Sequence, residues 1–313
     1  MTLAVIIPVY NEAKAIQKNF DTISSTFLED QISCKYIIVD DGSSDSTWIE
    51  ICAITNKYPH VSAIRFARNF GKEMALCAGI DYIEADRYLI MDSDLQHPPK
   101  YVKDMITLMD TQKVNIVHGI KKTRGKEKPL YKLLANSFYK ILKNTTDLQL
   151  ENSSDFKLLD HQVANAIRQF QESNLFFRGI VDWVGFTSAT YAFEVDERIY
   201  GTSSFSTFKL IKLAINSVLS YTSKPLYLTI FSGIIFFLFS ILLGLQTLAN
   251  YFLGHAVSGF STVILLLLFI GSMIMLSLGI IGLYIARIYD EVKQRPRYIV
   301  SNHIQCKKYN KRL

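Results

Sequence analysis

The 313-residue sequence has few cysteines, only two tryptophans, and no internal repeat or low-complexity linker. None of its four cysteines has C-x-x-C spacing, so neither a disulfide framework nor a cysteine-ligated metal is expected. The length allows one large domain or two modest ones with a buried core.

Charge is absent from two long stretches. There is no Asp, Glu, Lys or Arg from Pro225 to Gly254 or from Ala256 to Ala286. Each stretch exceeds the roughly 20 residues that a helix needs to cross about 30 Å of hydrocarbon. Two membrane-spanning helices are therefore predicted, and apolarity on all sides disfavours the alternative of two buried core helices.

The net charge of +6 is distributed unevenly around these stretches. Lys and Arg precede the first stretch and crowd the tail after the second, whereas the connecting loop around His255 has neither. The positive-inside rule therefore predicts a hairpin with the N-terminal domain and the tail in the cytoplasm. A basic tail could also bind nucleic acid, but its position beside a membrane helix favours anionic lipid headgroups.

Before residue 225, short runs rich in Val and Ile alternate with helical patterns, which predicts an α/β fold with a mostly parallel sheet. The predicted strands are Leu3–Pro8, Tyr36–Asp40, Ser62–Phe66, Tyr88–Met91 and Asn115–His118. The predicted helices are Ala13–Phe27, Ser46–Asn56, Lys72–Glu84 and Pro99–Thr111.

Polar clusters follow the first, second and fourth predicted strands, where sheets of this kind bind ligands. Two carboxylates one residue apart, Asp92 and Asp94, could hold a hard divalent cation together with a diphosphate. A solvated turn is the alternative for this pair. The run Asp40-Asp41-Gly42-Ser43 could be a turn and helix cap, a pocket for a nucleotide base, or both.

Four ordered motifs resemble family 2 glycosyltransferases of the GT-A fold, a Rossmann-like sheet. They are Pro8-Val9-Tyr10-Asn11-Glu12, Val39-Asp40-Asp41-Gly42-Ser43, Arg68-Asn69-Phe70-Gly71-Lys72 and Asp92-Ser93-Asp94-Leu95-Gln96-His97-Pro98-Pro99. With two apolar stretches near the C-terminus, the chain is similar to the branch that contains bactoprenol glucosyltransferases and dolichol-phosphate mannose synthases.

The resemblance implies roles for particular residues. Nucleoside contacts are expected from Pro8, Tyr10, Glu12, Val39 and Asp41. Contacts with metal, diphosphate and sugar are expected from Asp92, Ser93, Asp94 and Gln96. Basic residues expected near phosphates are Lys121, where the family commonly has Arg, Arg124 on the acceptor phosphate, and Arg198.

Two further positions are ambiguous. Arg198 begins an R-x-x-G-x-S-K pattern whose Lys is replaced by Ser204, so this segment lacks the Lys expected on the donor phosphate, and Lys209 or Lys212 is the alternative. Asp155 stands at a position on the acceptor side, as a general base, an orienting group, or an ordinary helix or loop carboxylate. A phosphate acceptor is already an anion near neutral pH, so no base is expected to be needed for proton removal.

The implied activity is the inverting, Mg²⁺- or Mn²⁺-dependent transfer of one hexose to a polyprenyl phosphate such as undecaprenyl phosphate, for cell-envelope glycosylation. UDP-glucose is the first choice of donor, with GDP-mannose and UDP-N-acetylglucosamine as alternatives. The implied location is the bacterial cell membrane. A processive polysaccharide synthase is disfavoured because the sequence lacks Q-x-x-R-W, and a membrane scaffold or lipid-binding protein because Asp92 and Asp94 are intact.

Four regions are predicted: a cytoplasmic catalytic domain, an interfacial amphipathic helix, a transmembrane hairpin and a basic cytoplasmic tail. Their boundaries are 1–200, 201–224, 225–287 and 288–313. The second apolar stretch contains small residues at which membrane helices can pack, Gly271, Gly279 and Gly282. A homo-oligomer is therefore compatible with the sequence.

Overall fold

A computed structural model describes residues 2–121, 153–172, 175–194, 224–253 and 259–305. The chain divides into two compact units. The first combines residues up to 209 with those from 296 onward, and the second comprises residues 210–295.

In its described residues, the first unit is built on an eight-stranded mixed sheet. The strands are β1 (Leu3–Val9), β2 (Cys34–Asp40), β3 (Val61–Phe66), β4 (Arg87–Ile90), β5 (Ile116–Lys121), β6 (Ser153–Asp160), β7 (Ser188–Phe193) and β8 (Val300–Ile304). Their order in the sheet is β7-β5-β6-β4-β1-β2-β3-β8. Strands β1 to β4 pair in parallel, as does β5 with β7, whereas β6 and β8 run antiparallel to their neighbours. The predicted parallel core is therefore present, with antiparallel additions.

Helices cover both faces of this sheet, which explains why every residue of β1 is buried. They are α1 (Ile16–Glu29), α2 (Thr47–Lys57), α3 (Lys72–Tyr82), α4 (Val102–Gln112), α5 (His161–Arg168) and α6 (Phe177–Trp183). The apolar side of α1 packs with α2 and α4 into one core, and α3 packs with α5 and α6. A short 3-10 turn, Pro99–Tyr101, precedes α4.

Within its described residues, the second unit has two long helices, α7 (Lys224–Phe252) and α8 (Phe260–Val292). Each includes a segment of mean hydropathy 2.1, and by length and composition both could cross a membrane. Phe236 of α7 and Phe269 of α8 are in ring contact, with centroids 5.1 Å apart. The interfacial helix predicted for 201–224 lies outside the described residues except for Lys224, and the four-region division stays a prediction.

Candidate active site

The loops that follow β1 and β2 are joined by reciprocal hydrogen bonds. The backbone N–H of Asn11 donates to Ser43 Oγ at 2.9 Å, and Asn11 Oδ1 accepts from the N–H of Ser44 at 2.9 Å. Next along the chain, the N–H of Glu12 donates to Thr47 Oγ1 at 2.8 Å. These bonds hold the motif that begins at Pro8 beside the motif that begins at Val39, at the carboxyl end of the sheet.

Asp41 is buried and anchors a third motif. Its carboxylate accepts from the backbone N–H groups of Phe70 at 2.7 Å and Gly71 at 3.0 Å. Burial raises the pKa of Asp41 to about 6, although these hydrogen bonds act in the opposite direction. The Asp41 side chain therefore holds the 68–71 loop in place while it borders the cavity described next.

A cavity of about 200 Å³ opens between these loops. It is lined by Pro8, Val9, Tyr10, Glu12, Asp41, Lys72, Asp92, Ser93 and Asp94. Seven of the residues predicted for the donor site are thus brought together. Val39 has no exposed surface in β2, and its contact with the nucleoside stays a prediction. Gln96 lies nearby, and its Oε1 accepts from Lys121 Nζ at 3.3 Å.

The turn after β4 is folded back on itself. The N–H of Asp92 donates to His97 Nδ1 at 3.0 Å, and the N–H of Gln96 donates to Asp94 Oδ1 at 3.0 Å. His97 is buried against Phe156, with ring centroids 5.1 Å apart, and burial lowers its pKa. His97 is therefore neutral, with its proton on Nε2, and it supports the backbone that carries both aspartates.

Negative charge is concentrated in the cavity. The pKa of Glu12 is raised, first by burial and then by the charges of Asp94, Asp45 and Asp92. Within the described ranges, no cluster of three or more His, Cys, Asp or Glu side chains could hold a metal by itself. Mg²⁺ and similar ions commonly take one or two carboxylates together with substrate phosphates, so Asp92 and Asp94 suit a cation that binds with a diphosphate.

Lys72, at the start of α3, is the only cationic residue that lines the cavity as described. Its Nζ lies 2.5 Å from Asp92 Oδ1 and 2.7 Å from Asp155 Oδ2. Burial alone would lower its pKa, but the charges of the two carboxylates outweigh burial and raise it. Lys72 therefore stays protonated and connects the predicted metal pair to Asp155.

Asp155 is buried in the middle of β6, neither in a helix nor in a loop. Its carboxylate also accepts from Arg178 of α6, at 2.5 Å from Nε and 3.0 Å from Nη2. Burial favours the neutral acid, yet the charges of Lys72 and Arg178 hold the pKa of Asp155 well below its usual range. An ionised carboxylate held by two cations is suited to orienting them and poorly suited to accepting a proton.

The family model for Glycosyl transferase family 2 matches residues 4–168 of the chain. The chain belongs to this family. It is 33% identical to YkcC of Bacillus subtilis, described as an uncharacterized glycosyltransferase, over 99% of this chain and 96% of that protein. It is 32% identical to the bactoprenol glucosyl transferase of Shigella phage SfV, over 97% of this chain and 100% of that protein.

The fold agrees with that membership. A Mycobacterium tuberculosis glucosyl-3-phosphoglycerate synthase, solved with Mn²⁺ and UDP-glucose, superposes with a TM-score of 0.50 at 19% identity. The match covers 70% of this chain and 77% of that one. The predicted family and its GT-A fold are thereby confirmed, and this family 2 member is a glycosyltransferase by membership.

Several residues of the site were not predicted from the sequence. Lys72 ends the third motif, which predicts no role for it, and Arg178 lies in none of the four motifs. Glu73 accepts the N–H of Phe177 at 2.7 Å, which fixes the start of α6 and hence Arg178. The sequence did contain one signal for these residues. Lys72 and Glu73 lie at the beginning of a helix that follows a strand of the core.

A second buried polar group lies two residues farther along β6. Lys157 Nζ is 2.6 Å from His118 Nδ1 of β5, and Asp182 Oδ1 is 3.6 Å from His118 Nε2. Burial lowers the pKa of Lys157 to about 8 and that of His118 to about 3. None of the four sequence motifs includes a member of this group. The predicted phosphate contacts Arg124 and Arg198 lie outside the described residues.

Proposed function

We propose that this family 2 glycosyltransferase transfers one hexose, glucose from UDP-glucose as first choice, to a polyprenyl phosphate. The observation that carries the proposal is the presence, in one chain, of a carboxylate-lined cavity and two helices apolar enough to cross a membrane. An enzyme that joins a soluble nucleotide-sugar to a lipid acceptor needs both a cavity for the donor and contact with the membrane. Similarity to a phage bactoprenol glucosyl transferase extends through the apolar helices and supports this acceptor class.

On this proposal, the nucleoside lies against Pro8, Tyr10 and Glu12, with Asp41 beside the base. Asp92 and Asp94 hold the divalent cation, which supplies positive charge to the departing diphosphate when it is bound. Lys72 contributes a fixed positive charge at the same side of the cavity. The Mn²⁺ and UDP-glucose bound by the mycobacterial synthase support a divalent cation and a nucleotide-sugar here.

The acceptor phosphate supplies the nucleophile. One of its oxygens forms a bond with the anomeric carbon as the bond from that carbon to the nucleotide diphosphate breaks, and UDP leaves. Since the phosphate is already an anion near neutral pH, no protein base has to remove a proton. Asp155 then acts by holding Lys72 and Arg178 in place. Lys121 is proposed to contact the donor beside Gln96, and Arg124 to attract the acceptor phosphate. A single displacement inverts the anomeric centre.

The proposed location is the bacterial cell membrane, with α7 and α8 as a hairpin and the catalytic unit in the cytoplasm. The support is the length and apolarity of both helices and the Lys and Arg residues on either side of the hairpin.

The donor is tested by incubating the purified protein with undecaprenyl phosphate, Mg²⁺ or Mn²⁺, and one radiolabelled donor at a time. UDP-glucose should give the most label in the lipid fraction, compared with UDP-galactose, UDP-N-acetylglucosamine and GDP-mannose. Preference for GDP-mannose or UDP-N-acetylglucosamine would replace glucose while keeping the acceptor. No lipid-linked label from any donor would contradict the proposed acceptor.

A further inference from the structure

The chain returns to the catalytic sheet after the second apolar helix. Residues 300–304 form β8, which pairs antiparallel with β3 at the edge of the sheet. Two further bonds extend the attachment. The N–H of Ala67 donates to the carbonyl of Ile299 at 2.9 Å, and Ser301 Oγ donates to the carbonyl of Arg65 at 3.2 Å. We call residues 297–304 the C-terminal strap.

Two side chains fasten the strap to the last turn of α3. Tyr298 donates its hydroxyl to Asp81 Oδ2 at 2.8 Å, and Arg297 Nη2 lies 3.0 Å from the same oxygen. Both Asp81 and Arg297 are largely shielded from solvent. The tyrosine ring also stacks on Phe66 at the end of β3, with centroids 5.1 Å apart and an interplanar angle of 17°.

The contacts continue from Phe66 to the cavity. Phe66 meets Phe70 edge-on, with centroids 5.7 Å apart, and the guanidinium of Arg68 lies 4.6 Å from the Phe70 ring centroid. The backbone N–H of Phe70 donates to Asp41, which lines the cavity. A continuous path of packed rings and hydrogen bonds therefore runs from the strap through Phe66 and Phe70 to Asp41.

The 67–71 loop needs this outside support. Ala67, Arg68 and Asn69 are exposed, so the loop buries little apolar surface of its own. On one side it is held by Asp41, and on the other it packs through Phe70 on Phe66 and thus on Tyr298. A loss of the Tyr298 stack removes one of the two ring contacts that Phe66 makes at the base of the loop.

We propose that the C-terminal strap positions the nucleotide site, with Tyr298 and Arg297 as positioning residues that keep the 67–71 loop in the form that holds Asp41. The nucleotide part of this inference rests on the proposed function. No residue of the strap is among those that line the cavity, so its effect is expected on donor binding through the loop and not on the acceptor.

The test compares full-length variants in detergent by hydrogen exchange and by titration with UDP. Tyr298→Ala removes the ring, Tyr298→Phe keeps the stack but loses the bond to Asp81, and Asp81→Asn weakens both side-chain attachments. Asn302→Ala is the matched control, because this exposed residue of β8 lies in the same strand.

Tyr298→Ala should increase deuterium uptake over residues 67–71 and weaken UDP binding by about tenfold, with the acceptor KM unchanged. Tyr298→Phe and Asp81→Asn should show smaller effects in the same direction, and Asn302→Ala none. These readouts separate positioning from a general loss of stability, which would raise exchange throughout the sheet.

The proposal is overturned if uptake over 67–71 is the same in Tyr298→Ala, Tyr298→Phe and Asn302→Ala. It is also overturned if all variants bind UDP as tightly as a wild-type protein that does bind it. A wild type that binds no UDP would instead contradict the proposed function, and the exchange data would still decide whether the strap controls the loop.

Discussion

Asp92 and Asp94 are neighbours in sequence but have different surroundings. Asp92 is paired with Lys72, whereas Asp94 is exposed and accepts one backbone N–H. We expect Asp94→Ala to reduce sugar transfer by roughly 100-fold or more, since it removes the carboxylate best placed to take a new cation. Asp92→Ala should also reduce transfer severely, as measured by label in the lipid fraction.

Glu29→Ala is the control for these variants, because Glu29 is an exposed carboxylate at the end of α1. It should transfer sugar at the wild-type rate, and all three variants should keep the wild-type melting temperature to within a few degrees. Near-normal turnover of the wild type in excess EDTA would rule out the metal-dependent mechanism.

A substitution of Asp155 tests whether this residue is a general base or an orienting group. Asp155→Asn should reduce transfer by roughly 10- to 100-fold, because Lys72 and Arg178 lose the charge that holds them. The pH profile of kcat should keep the same limbs, since the lowered pKa leaves Asp155 ionised throughout the neutral range. Loss of one limb in the variant would instead identify Asp155 as a general base.

The lowered pKa of Asp155 also predicts the direction in which stability changes with pH. A carboxyl with a lowered pKa in the folded state stabilises the protein above its unfolded pKa, about 3.9, and this contribution is lost as pH falls through the folded value. Wild type should therefore be more stable than Asp155→Asn at pH 7, with the difference shrinking below about pH 4.

The site residues that could be predicted from sequence lie in contiguous motifs at strand ends, such as Asp41, Asp92 and Asp94. The ion pairs that determine the ionisation of the site could not be predicted from the sequence. Lys72 and Asp155 are 83 residues apart in sequence, and Asp155 and Arg178 are 23 apart. Such pairings depend on the antiparallel insertion of β6 beside β4, which no local pattern indicates.

At the scale of elements, the first five strands and four helices were predicted to within a few residues, because buried parallel strands are continuous apolar runs. The later strands were missed. Strand β6 carries Asp155 and Lys157 in its buried middle, and β8 is polar in three of its five residues. The polar side chains of these strands pair with residues distant in the sequence, and no local sequence pattern identifies those partners.

The turn at Gly42 joins two loops of the site. Gly42 has φ +68°, and a Cβ there would lie 2.4 Å from the carbonyl carbon of Arg68. We expect Gly42→Ala to lower the free energy of unfolding by about 3 kcal/mol, from backbone strain and from the forced shift of the 68–71 loop, and to abolish UDP binding.

Gly185 provides a matched control for that turn. Its φ is +70°, but among the described residues a Cβ would meet only the carbonyl oxygen of Trp183, at 3.9 Å. Gly185→Ala should cost about 1 kcal/mol from strain alone and leave UDP binding intact. Equal losses in the two variants, measured by denaturation in detergent and by UDP titration, would contradict a close approach of the two loops.

At the scale of the whole molecule, the two apolar helices and the charge asymmetry predict a topology. A reporter fused after Leu313 should be active in the cytoplasm, and one inserted near His255 should be active on the outer side. The basic residues on both sides of the hairpin are the physical reason. If both reporters were found in one compartment, the two-span hairpin would be wrong.

The central claim is that one hexose is transferred to a polyprenyl phosphate with inversion, and the structure of the lipid product tests it most directly. Wild-type protein, UDP-glucose and undecaprenyl phosphate should yield a lipid whose mass corresponds to one added hexose. NMR of its anomeric centre should show a β-linkage, since the donor is α-linked and a single displacement inverts it. An α-linked product, a polymer of several hexoses, or glucose released without any lipid product would contradict the account.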